Sequence, residues 1–247
     1  PTIRGGRFRG DENEEYGAYW EWRFGPASEY PYRHRISSLR GLQMRQNFQM
    51  VSQETLKLNP ELNEYVRMTQ GCRRENSPDA WAYLREFYRG AKPVKNIERW
   101  LVQRDFPGSE TVAAERVDRH PLPSEASRKI REPHDFDARR TDLARGQSGM
   151  LFALDRGFWP RSAPAEIKVT YVDRAAADWH IAYTDNAGKS LATPSVCNTG
   201  DGARKTATFR VASLAAGGRF PDGMDFRIVS GGPGDVVVTF VRVIKRR

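Results

Sequence analysis

The sequence predicts an α+β segment followed by an all-β sandwich. Three observations carry this reading. Two helix-start signatures, Asn59-Pro60-Glu61 and Ser77-Pro78-Asp79, lie in the first third of the chain. An alternating aromatic stretch, Tyr19-Trp20-Glu21-Trp22-Arg23-Phe24, precedes them. From about Asp137 onward the chain breaks into short runs of strand formers, each bounded by Gly, Pro, Asn or Asp. The expected parts are 1–92 (α/β segment), 93–136 (linker and first sandwich strand) and 137–247 (jelly-roll-like sandwich).

Residues 1–18 are Gly-rich, then acidic, and read as a loop leading into the aromatic strand. In that strand Tyr19, Glu21 and Arg23 share one side, and Trp20, Trp22 and Phe24 the other. A carboxylate among aromatics is how a sugar pocket is built, because ring faces cover the apolar faces of a pyranose. The other reading is a core strand with Glu21 paired to Arg23 or Arg35. Pro26 and Pro31 then interrupt the chain. Apolar positions Ile36, Leu39, Leu42, Met44 and Phe48 predict an amphipathic helix over 36–51.

At Asn59-Pro60-Glu61 the Asn caps, the Pro takes the first turn and the Glu faces the positive end of the helix dipole. Ser77-Pro78-Asp79 repeats the signature, and Ala80, Trp81, Leu84, Phe87 and Tyr88 predict a second helix up to Gly90. Residues 97–102 read as a strand and 105–135 as a long surface loop. Strands are expected at 150–154, 166–173, 179–185, 203–211, 225–230 and 235–244, which is the pattern of a β-sandwich.

The 247 residues carry a net charge of +9, with 32 arginines against 8 lysines. The excess is spread along the chain, and only Lys245-Arg246-Arg247 is a basic cluster, so nucleic acid is not the expected partner. No run of 18 apolar residues occurs, which excludes a spanning helix. The chain opens on Pro1, which reads as a processed or truncated beginning. Cys72 and Cys197 read as separate thiols, with a disulfide between them left open. His34, His120, His134 and His180 sit in no metal spacing. No metal or cofactor is expected. Dinucleotide, phosphate-loop and serine-elbow motifs are absent, which argues against nucleotide enzymes and the usual serine hydrolases.

Three stretches, Trp179-His180-Ile181-Ala182-Tyr183, Arg204-Lys205-Thr206-Ala207-Thr208-Phe209 and Asp225-Phe226-Arg227-Ile228-Val229-Ser230-Gly231-Gly232, resemble a carbohydrate-binding-module-like jelly-roll domain. Such domains lie at the C-terminal ends of bacterial glycoside hydrolases of the TIM-barrel superfamily. The first part, through Trp20-Glu21-Trp22 and Ser77-Pro78-Asp79-Ala80-Trp81, resembles the closing elements of such a barrel. A complete barrel needs about 250 residues, so the resemblance implies either a fragment of a longer hydrolase or a small separate domain. It implies a polysaccharide or oligosaccharide partner and a secreted or periplasmic location, with no membrane.

On that resemblance Glu21 is the candidate catalytic carboxylate, Trp20 and Trp22 line or back a sugar subsite, and Arg23 is a further candidate for substrate binding. Its partner acid would come from Asp11, Glu12, Glu14 or Glu15, or from outside the chain. In the sandwich, Trp159, Trp179 and Tyr183 are candidates for sugar stacking, with a core role as the alternative. Arg227 is a candidate for hydroxyls or a uronate, or else a partner of Asp225 or Asp173. Arg139-Arg140 either grips an acidic polysaccharide or ties the linker to the sheet. Trp81 and Trp100 read as packing residues joining helices to sandwich. The rival function is a non-catalytic protein-interaction or structural module.

Overall fold

In the computed structural model the described residues are 2–4, 7–11, 26–46, 48–50, 57–89, 92–121, 133–159, 162–174 and 176–246. Three short strands, β1 (Thr2–Arg4), β2 (Arg7–Asp11) and β3 (Phe48–Met50), form one small sheet. Helix α1 (Tyr30–Gln43) lies between β2 and β3 in sequence, and those two strands are parallel. Helix α2 (Pro60–Thr69) comes next. This single strand–helix–strand crossover is all that the described residues share with a barrel.

The rest of the described chain is a two-sheet sandwich. In order, its strands are β4 (Asp79–Arg89), β5 (Lys92–Arg99), β6 (Leu101–Arg104), β7 (Val112–Asp118), β8 (His134–Arg140) and β9 (Gly149–Leu154). They continue with β10 (Ala163–Val172), β11 (Ala177–Thr184), β12 (Ser190–Ala192), β13 (Val196–Cys197), β14 (Arg204–Leu214), β15 (Phe226–Pro233) and β16 (Val237–Lys245). The larger sheet runs β14-β10-β16-β4-β8-β7, with β5 also on β4. The smaller runs β12-β11-β15-β9-β6, with β13 also on β11. From β9 on, the long strands change sheet at each step, so the connections wrap the sandwich edges in the jelly-roll manner.

Alternation explains the core. Ile167 and Val169 of β10, Val241 and Val243 of β16, and Ala80, Ala82 and Leu84 of β4 face inward. They meet Phe152, Trp179, Ile181, Phe226 and Ile228 of the smaller sheet, all fully buried. On the far side of the larger sheet, Trp81, Tyr83 and Phe240 pack under Leu39 and Leu42 of α1 and Leu62 and Tyr65 of α2. Trp81 thus joins helices to sandwich as expected, while Trp100 stacks on Phe158 at 6.0 Å beside the core.

Several expectations are corrected. The second helix, at 77–90, is strand β4. Its apolar residues fall on both parities because both sheet faces are covered, and such a run also fits a helical period. Ser77 donates to the Asp79 backbone carbonyl at 2.9 Å, so the cap-like tripeptide starts a strand. The helix expected at 36–51 is α1 only in part: it begins earlier, with Pro31 in its first turn, and ends at Gln43, and Phe48, expected on its face, belongs to strand β3.

The 105–135 loop contains β7, a charged edge strand whose ladder to β8 skips Glu115, at φ 58°. The boundary at 92/93 falls inside β5, which pairs with β4 in one sheet. Both cysteines are free thiols. No described helix is long and apolar enough to cross a membrane.

The first turns of α1 and α2 meet at His34. The Asn59 side-chain oxygen accepts from Arg35 at 3.1 Å, which turns its amide nitrogen toward the Pro31 carbonyl and toward His34 Nδ1 at 3.3 Å. Asn59 therefore makes no side-chain bond to its own helix. Nδ1 must accept, so the ring is neutral with its proton on Nε2, 3.2 Å from Ser38 Oγ.

Burial first, and then the charge of Arg35, push the His34 pKa down to about 4. The unfolded chain binds a proton near 6.5 that the folded chain refuses, so stability falls as pH drops from about 6.5 toward 4. The expected loss is roughly 3 kcal/mol. Urea midpoints at pH 7.5 and 4.5 measure it, and a His34→Gln chain should lose most of this slope. An equal slope in that variant would assign the effect to other groups.

Candidate functional site

The helices divide the outer face of the larger sheet. Over β16 and β4 it is covered by α1 and α2, whereas on β14 Thr206, Thr208 and Arg210 reach solvent. The line between the two halves is a recess of about 20 Å³ lined by Arg35, Glu61, Tyr65, Tyr83, Thr170 and Arg204, among others. That is room for about one water. Small-molecule pockets are typically about 300–1,000 Å³, far larger than this recess.

Register builds the rim. Thr206, Thr170, Phe240 and Tyr83 stand side by side across β14, β10, β16 and β4. The hydroxyls of Thr170 and Thr206 are hydrogen-bonded at 2.9 Å. Tyr65 of α2 stacks flat on Phe240 at 4.5 Å between centroids. Asp137 sits behind the recess and accepts from Arg35 at 2.8 Å, from Arg204 at 2.6 Å and from the Tyr83 hydroxyl. The Arg204 side chain, about a third exposed, is therefore held in one place at the rim. Burial, and then the Asp137 carboxylate, push the Tyr83 phenol far up, so it stays protonated and donates. Three donors thus converge on Asp137.

The expected site residues are scattered. Trp20, Glu21, Trp22 and Arg23 lie outside the described residues. Trp159 is 2% exposed, its ring in the core and its Nε1 donating to the Leu214 carbonyl at 3.1 Å. Trp179 is fully buried and donates to Asn198 at 3.0 Å, and Tyr183 is buried in the same core. Rings closed on both faces offer no platform for a sugar.

Arg227 points to the outer face of the smaller sheet, 5.6 Å over the Phe220 ring. It pairs with neither expected acid. Asp225 accepts the Leu154 and Gly218 amides, and Asp173 accepts from Thr199, Gly200 and Lys205.

Arg139 is buried between Glu86, Asp105 and Thr111, and Arg140 bonds Asp235 at 2.6 Å, so this pair ties strand to sheet. Among the described residues no group of His, Cys, Asp and Glu could hold a metal. The rim residues Arg204, Thr206, Thr170 and Glu61 were missed in sequence. Only the alternation of Arg204, Thr206 and Thr208 with Ala207 and Phe209 marked them as one face.

No family model matches the chain, and no curated protein matches it. Among solved structures it is similar to the C-terminal family 6 carbohydrate-binding module of a marine laminarinase from Zobellia galactanivorans. That match has 12% identity and a TM-score of 0.29, and covers 55% of this chain and all of that one. A second is the Clostridium thermocellum xylanase 10B, as its CBM22-1 and GH10 modules with xylohexaose. It has 6% identity and a TM-score of 0.33, and covers 68% of this chain and 29% of that one. A third is the Eiger TNF of S. frugiperda, at 13% identity and a TM-score of 0.24, covering 69% and 94%.

Proposed function

We propose that this chain recognises carbohydrate on the helix-bearing face of its sandwich. The observation that carries the reading is the rim itself: a fixed guanidinium, Arg204, beside the paired hydroxyls of Thr170 and Thr206, along a recess of only about 20 Å³. Polymers lie across such faces, and their hydroxyls need donors and acceptors held in place rather than recruited on binding. The parent activity is glycosidic bond hydrolysis in a polysaccharide-degrading enzyme. There Glu21 is the catalytic carboxylate, and Trp20, Trp22 and Arg23 supply the stacking subsite that the sandwich lacks. The interaction-module reading needs a contiguous apolar patch. Among the described residues the exposed large hydrophobics are only Met44 and Leu58.

Affinity gels loaded with neutral and acidic glycans test this, with Arg204→Gln and Trp20→Ala chains run alongside. Losing the Arg204 contact should weaken binding by about 1.5 kcal/mol, roughly tenfold. Loss in Trp20→Ala alone would move the site to the first segment. Absence of retardation on every glycan would overturn the proposal.

A further inference from the structure

Four residues beyond Thr206, roughly 13 Å along the strand, the same face ends in a knot of charge. Glu166 of β10 lies directly opposite Arg210 of β14 and two residues from Lys168 on its own strand. It is almost buried, its side chain 10% exposed, yet three cations converge on it. Arg246 hydrogen-bonds it, Arg210 Nε stops at 3.6 Å, and Lys168 Nζ stops at 3.8 Å. Lys168 also stands 3.5 Å from Glu64, whose carboxylate is already bonded by Arg242 at 2.8 Å. Arg242 is fully buried and paired with Asp79. Four cations thus face three carboxylates, and the surplus positive charge sits on the exposed members. Arg210 has a side chain 75% exposed and Arg246 one 45% exposed.

Geometry separates this from an ordinary surface ion pair. One carboxylate cannot hydrogen-bond all three cations well, and Arg246 has taken it. Glu166 therefore holds Arg210 and Lys168 by charge rather than by a short hydrogen bond, with Lys168 shared with Glu64 and the Arg210 side chain 75% exposed. An arriving anion would find those donors already gathered, with the Thr208 hydroxyl beside them, because Thr208 is the cross-strand partner of Lys168. Guanidinium and ammonium groups preset in this way suit a carboxylate or a sulfate ester.

We infer that the Glu166–Lys168–Arg210–Arg246 cluster binds the anionic substituents of an acidic polysaccharide, uronate or sulfate, whose backbone lies along the rim at Arg204 and Thr206. This rests on the carbohydrate reading and names the class of glycan. Glu166 is the positioning residue, and Lys168 and Arg210 make the contact.

The test uses one backbone in three charge states: dextran, carboxymethyl-dextran and dextran sulfate, in affinity gels at fixed salt. The chain should prefer the charged polymers, and a Lys168→Gln/Arg210→Gln chain should lose that preference by about tenfold, two exposed ion contacts' worth, while still binding dextran. Glu166→Gln should also reduce the preference, by loosening the cluster, whereas a cluster serving stability alone would leave it unchanged.

Equal binding to all three polymers, unaltered by the double substitution, would overturn the inference and leave the carbohydrate reading standing. Binding to none of them, with duplex DNA bound and lost in the double variant, would overturn both. So would binding to nothing.

Discussion

Replacing Trp159 by Ala is expected to destabilise the fold by about 3–5 kcal/mol, the range for a buried aromatic cut to a methyl group. The ring is 2% exposed, tilted against Phe158 at 5.8 Å, and its indole N–H is the donor for the Leu214 carbonyl. Truncation therefore opens a cavity and also leaves a buried acceptor without its donor. Urea unfolding followed by far-ultraviolet circular dichroism would read the midpoint shift. In affinity gels the surviving folded fraction should keep its glycan binding. A variant of unchanged midpoint that has lost glycan binding would show that this ring faces solvent.

The Arg242→Met chain should lose a similar amount, about 3–5 kcal/mol, for a different reason. Arg242 is fully buried, bonds Asp79 at 2.7 Å and Glu64 at 2.8 Å, and lies over the face of Tyr65 at 5.1 Å. Methionine replaces the stem but not the charge. It leaves Asp79, itself fully buried, without its paired cation and held by the Thr69 and Ser77 hydroxyls. Pairing Arg242→Met with Asp79→Asn should recover part of the loss, since most of the penalty belongs to the abandoned carboxylate. Equal urea midpoints for the single variant and the parent would mean that the pair is solvated in solution.

Much of the sandwich was legible because its strands alternate. Ile167-Lys168-Val169 and Phe209-Arg210-Val211 set apolar against polar with a period of two, which no helix tolerates. Strand β4 was illegible for the opposite reason. Trp81 and Tyr83 lie under helices while Ala80 and Ala82 lie in the core, so no polar face remained to fix the period. β7 hid behind charge, having one neighbour and a ladder interrupted at Glu115.

The site was read less well. Aromatics at 159, 179 and 183 suggested stacking, yet a large ring in a sandwich is chiefly core material, and sequence carries no record of which face is closed. The rim depends on contacts such as Arg204 with Asp137, 67 residues apart, and on strand neighbours that only the fold supplies.

Strand β16 is the latest in the described chain, yet it sits between β10 and β4, and its Arg242 reaches Asp79 across 163 positions. A ribosome therefore releases β4 and β10 long before the piece that joins them. Until then each shows an open ladder to any other strand nearby. Such a closing step is slow by its topology. The same arrangement bears on how the protein can be shortened. A chain begun at 93 or 137, where composition invites the cut, would lack β4 and leave β16 from Phe240 to Ile244 without its partner on that side, so the outer face of the larger sheet is best produced together with everything from α1 onward.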